Sequence, residues 1–128
     1  MINKPKVGVL VMALLEDDYN KTAHVRPMAQ KVADKIGGII GKYAETVCPP
    51  LVEEEHQAAA AAQMFNAAGV DLIIAVEVAY TKGAVPTRCF LDTTAPVLVW
   101  NTQQIEFLPE NADFDLIMLN SGMAGVPE

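Results

Sequence analysis

Polar side chains gather where the apolar runs of this chain stop. PVLVW at 96–100 gives way to Asn101, Thr102 and Gln103. DLIIAVEVA runs into Tyr80, Thr81 and Lys82, and KVGVLVMA is followed by Leu14, Leu15, Glu16, Asp17 and Asp18. The hydroxyl and amide groups at 101–103 donate and accept hydrogen bonds without carrying charge. That suits a polyol better than a phosphate, which calls for Arg, Lys or a helix N-terminus. Every buried strand must exit into something polar, so the pattern leaves an ordinary loop start and a ligand site both open. Glu16, Asp17 and Asp18 would suit a Mg²⁺ site of the phospho-acceptor receiver kind. Such a site needs a further aspartate at the end of the third strand, where Val78, Ala79 and Tyr80 stand with no acid beyond Glu77. Asp17 and Asp18 read more simply as acids favouring the positive end of a following helix.

Other reactive residue types lack partners at useful spacing. His24 and His56 lie on separate predicted helices with no third ligand at metal spacing, and read as solvated helix residues. Cys48 and Cys89 form neither a disulfide framework nor a metal motif, and Cys89 reads as a buried structural thiol. GGIIG at 37–41 follows a helix, whereas phosphate loops follow a strand and open one. No serine elbow of the G-x-S-x-G type is present.

The elements that must position these groups alternate. Residues 6–13 are a valine-rich strand of the kind covered on both faces. Val25, Met28, Ala29, Val32 and Ile36 recur at helical spacing. Pro27 suits the first turn of that helix, and Gly37 and Gly38 should end it. YAETVC at 43–48 predicts a second strand. Glu53, Glu54 and Glu55 then open an alanine-rich helix to Ala68, with Gly69 as its cap. VDLIIAVEVAY predicts the third strand, Pro86 to Asp92 a short helix, and APVLVW the fourth strand. DFDLIML fits a fifth strand or a helix equally. The alternation predicts a three-layer αβα, flavodoxin-like (Rossmann-like) parallel sheet of order 2-1-3-4 with right-handed crossovers. Ligands in such sheets bind beyond the carboxyl ends of the strands, at the switch in strand order. Here that edge carries the three polar groups above. Both side-chain sets of the fourth strand, Val97 with Val99 and Leu98 with Trp100, are expected to be largely buried.

Bulk properties narrow the classes. The 128 residues fit a single domain spanning 1–128, and such a chain removes roughly two-thirds of its unfolded surface from water. With 52% hydrophobic residues, disorder is not expected. A net charge of −7 disfavours nucleic acid as a partner. No apolar run approaches the ~20 residues of a membrane span, and the start lacks a signal-peptide cleavage site. Reduced cysteines and a cytoplasmic setting are the expectation. SGMAGVPE follows an apolar run with no closing helix, as expected of the N-terminal piece of a longer protein.

Taken in order, KVGVLVMALLEDDY, VRPMAQKVADKI, DLIIAVEVAYTKG and PVLVWNTQQIEFLPENADFDLIMLNSGMAGVPE span nearly the whole chain. In that order and spacing they resemble the N-terminal domain of the L-fucose isomerase and L-arabinose isomerase family, and most of all its fucose-isomerase-related branch. The final block, with its Asn/Thr/Gln strand end and MLN-x-G-x-x-G-V segment, is the most specific. The resemblance implies an aldose–ketose isomerase parent that moves a proton between adjacent sugar carbons through an ene-diol, with a divalent ion, usually Mn²⁺. The family's metal ligands lie in later domains, so this chain should hold no cofactor and lack catalysis on its own. Its implied roles are part of the sugar pocket and subunit assembly as a homo-oligomer. Carried over by position, the sugar-binding places are Leu15, Glu16, Tyr80, Thr102, Gln103, Asn120 and Ser121. Family members often carry a histidine in the terminal segment, where position 124 is Ala. The alternative from a different class is a free-standing small-ligand or partner-binding domain.

Overall fold

The computed structural model of the chain describes residues 3–14, 17, 19 and 24–122. Four strands and four helices alternate: β1 (Lys6–Met12), α1 (Val25–Ile40), β2 (Glu45–Val47), α2 (Glu55–Ala68), β3 (Leu72–Glu77), α3 (Thr87–Asp92), β4 (Val97–Asn101) and α4 (Phe114–Leu119). The strands form one parallel sheet of order β2-β1-β3-β4, and helices pack on it as a three-layer, flavodoxin-like α/β fold. Among the described residues no helix is long and apolar enough to cross a membrane.

Side-chain alternation along the strands divides the core in two. Val7, Val9 and Val11 of β1 and Val76 of β3 meet Ala29, Ile36 and Ile40 of α1 on one face. Leu10, Met12, Ile73 and Ala75 meet Ala58, Ala61, Ala62 and Phe65 of α2 and Cys89 of α3 on the other. Gly8 permits this second contact. A Cβ there would lie 2.7 Å from the ring of Phe65, which is wholly buried.

Two sequence expectations need correction. Helix α1 does not stop at Gly37 and Gly38 but runs through both to Ile40. The cost of helical glycine, about 1 kcal/mol each, is offset by seating Ile36 and Ile40 in the core. Pro27 does stand in the first turn, and Gly69 caps α2 with φ 63°. The second correction concerns β4. Its register with β3 puts Val97 and Val99 with Ile73 and Ala75 on the α2/α3 face, and Leu98 and Trp100 with Ile74 and Val76 on the α1 face. That alternation is as expected, but the burial is not: Leu98 is 53% exposed, Val99 43% and Trp100 38%. Helix α1 packs over β1, and β4 is, with β2, one of the two outer strands of the sheet.

The segment left open between strand and helix is helical. Asp113 caps α4, accepting a hydrogen bond from the Leu116 backbone N–H at 2.9 Å.

Candidate functional site at the carboxyl edge of the sheet

Residues 101–105 and 118–122 meet over the ends of β3 and β4. The Thr102 hydroxyl donates to the Glu77 carbonyl, and its backbone pairs antiparallel with Gly122, whose carbonyl accepts from Thr102 N–H at 3.0 Å. Gln104 donates to the Val78 carbonyl and to Thr102 Oγ1, both at 3.0 Å. The Asn120 side-chain oxygen accepts from Ile105 N–H at 2.8 Å, and Tyr80 N–H donates to the Met118 carbonyl at 2.9 Å. Gly122 is needed for this closure, because a Cβ would fall 2.5 Å from the Glu77 carbonyl and 2.6 Å from that of Thr102.

Of the residues singled out in the sequence, Tyr80, Thr102, Asn120 and Ser121 are thus tied to one edge. Tyr80 is half-buried against Leu14, Tyr19, Val25 and Met118. Ser121 donates to the Ile117 carbonyl at 2.6 Å. Gln103 is exposed, and its amide donates to the carbonyls of Ile105 at 3.0 Å and Glu106 at 3.3 Å. Many of the polar groups that could meet a ligand therefore also hold the loop. Leu15, Glu16, Asp18 and Ala124 lie outside the described residues.

The edge also holds residues that the strand-end pattern passed over. Glu77, completely buried, closes β3 from within an otherwise apolar run. Its signal in the sequence was that isolation. Glu53 precedes α2, with its side chain only 5% exposed; Oε2 accepts from Arg26 Nε at 3.2 Å and Nη2 at 3.1 Å. Gln57 fixes this turn, its side-chain oxygen accepting from the N–H groups of Glu53 at 2.7 Å and Glu54 at 3.0 Å. A pocket of about 450 Å³ opens here between Leu14 after β1, Glu53 to His56 before and at the start of α2, and Lys82 and Val85 after β3.

The remaining reactive types sit apart. His24 and His56 are exposed. Burial in the α2/α3 core, with Asp92 nearby, pushes the Cys89 thiol up to about 11, which keeps it protonated and unreactive at neutral pH. Among the described residues no three His, Cys, Asp or Glu side chains converge as a metal ion requires. The divalent ion implied by the isomerase resemblance therefore has no donor set among them.

Compared with known proteins, the chain matches no family model, and no curated protein matches it.

Proposed function

We propose that this chain is the N-terminal domain of an aldose–ketose isomerase-like protein of the L-fucose/L-arabinose type. It contributes to a sugar pocket and to subunit assembly in the cytoplasm, and has no catalysis of its own. The observation that carries this reading is the closure of residues 118–122 over Tyr80, Thr102 and the end of β3. It joins, at the switch edge, neutral donors and acceptors suited to sugar hydroxyls. Mn²⁺ and the proton-transferring groups belong to other domains of the parent. A second reading, a free-standing small-ligand domain, is favoured by the pocket at Glu53.

Gln103 tests the sugar reading. Its exposed side chain ties only a local turn, so Gln103→Ala should change the unfolding free energy by no more than about 0.5 kcal/mol and leave the midpoint nearly unmoved. Affinity of the parent protein for its sugar should fall by about 1 kcal/mol or somewhat more, the worth of one hydrogen bond. Sugar titration and chemical unfolding of the variant check both. Unchanged affinity with a lowered midpoint would make Gln103 loop scaffolding and remove it from the pocket.

A further inference from the structure

Beyond β4, exposed apolar side chains gather on one unit of the fold. The loop 105–113 leaves from beside the last turn of α4, where Ile105 N–H donates to the Asn120 side chain at 2.8 Å. It returns to the first turn, where Asp113 caps the helix. Met118 and Leu119 take the inward side of α4, against Leu14, Tyr19 and Val25. Phe114 and Ile117, three residues apart, share the outward side. Phe107 is 80% exposed and Phe114 65%, and Ile105, Leu108 and Ile117 are exposed with them. Single exposed apolar residues are ordinary, but a group of this kind with two phenylalanine rings marks an interaction surface. Its charges have one sign: Glu106, Glu110, Asp113 and Asp115 lie in the same segment, and every lysine, arginine and histidine of the chain precedes Cys89.

From this placement we propose that residues 105–117 dock a cationic amphipathic helix of a partner protein. The apolar stripe of that helix covers Phe107, Phe114 and Ile117, and its lysines or arginines face Glu106 and Glu110. The sign of the charge selects this occupant. A second copy related by a two-fold axis would bring the same acids to the same place, and the anionic surface of a membrane would repel them. Docking here is separate from sugar binding and from pairing at the edge of β4.

Amide NMR titration of the chain at low salt tests it. The probes are a short peptide of leucine and lysine, with its leucines at helical spacing, and its leucine–glutamate counterpart. The lysine peptide should shift the amides of Glu106 to Ile117 saturably, and the glutamate peptide should bind at least ~tenfold more weakly. Phe107→Ser with Phe114→Ser removes two exposed rings at unchanged net charge, and should weaken the lysine peptide at least ~tenfold. Glu106→Gln with Glu110→Gln keeps both rings, and should weaken it about threefold, a difference that fades at high salt. Absence of saturable shifts, equal binding of the glutamate peptide, or binding indifferent to loss of both rings would each overturn the proposal. So would shifts of these amides on concentrating the chain alone, which give the surface to a second copy, or their loss on adding phosphatidylcholine vesicles, which gives it to a membrane. Failure of a longer natural protein to bind the lysine peptide would overturn it too, giving the surface to that protein's own later residues.

Discussion

The chain should self-associate through β4, and replacing Leu98 and Trp100 together by lysine should leave it a monomer. Among the described residues strand β4 has an unpaired edge, with apolar side chains on both faces, 36% to 53% exposed from Val97 to Trp100. Residues 95–105 contain no charge, and Pro96 stands before the strand rather than in it. The usual guards of an exposed edge are thus missing. A second copy fits such an edge: a two-fold antiparallel pairing centred on Val99 would set Leu98 beside the partner's Trp100 twice. Burying residues of this size is worth about 1.5–3 kcal/mol each. The double variant should therefore weaken association by at least ~100-fold. With a net charge of −7 the copies repel, so added salt should strengthen association rather than weaken it. Trp100 is the only tryptophan. Its emission should shift to the blue as the wild-type chain is concentrated, in step with light scattering. A monomer at high concentration with unshifted emission would show that β4 is left open to water or kept for another partner.

The second large effect lies at Gly8. A methyl group here would meet the ring of Phe65 at 2.7 Å, in the buried core on the α2 face. Gly8→Ala should destabilise by about 1–3 kcal/mol, as overpacked cores do. For a chain of this length that lowers the thermal midpoint by roughly 5–10 °C. Phe65→Leu alone should also destabilise, but in the double variant the smaller side chain makes room for the new methyl. The double-mutant cycle should then show favourable coupling of about 1 kcal/mol. Strict additivity would mean that the backbone at Gly8, rather than its contact with Phe65, sets the cost.

The strand order was legible because β1 and β3 are covered on both faces and read as unbroken apolar runs, while Pro49, Pro50 and Gly69 mark the breaks. The exposure of β4 was not legible. APVLVW looks the same whether the chain's own helices or another surface cover it. DFDLIML could not be settled by periodicity; the Asp113 cap decides for helix. Gly37 and Gly38 misled because an ending rule is local, whereas Ile36 and Ile40 draw the helix onward through tertiary contact. At the candidate site the strand ends pointed to the right edge. They did not show that Thr102, Gln104 and Asn120 would hold one another's loops. Nor could three consecutive glutamates show which one is buried, since only Arg26, 27 residues earlier, singles out Glu53.

On the reading proposed above, this domain serves a sugar isomerase without performing the chemistry. One comparison tests it most directly: ketose formation from L-fucose and L-arabinose, with Mn²⁺ present, by the natural protein and by the purified 128-residue chain. Catalysis needs a positioned acid, base and metal, and no metal-holding cluster is present among the described residues. Ketose should form with the natural protein, which should be heavier than 13.8 kDa, and not with the chain alone. Ketose formed by the chain alone, or a natural protein that forms none from either sugar, would contradict it.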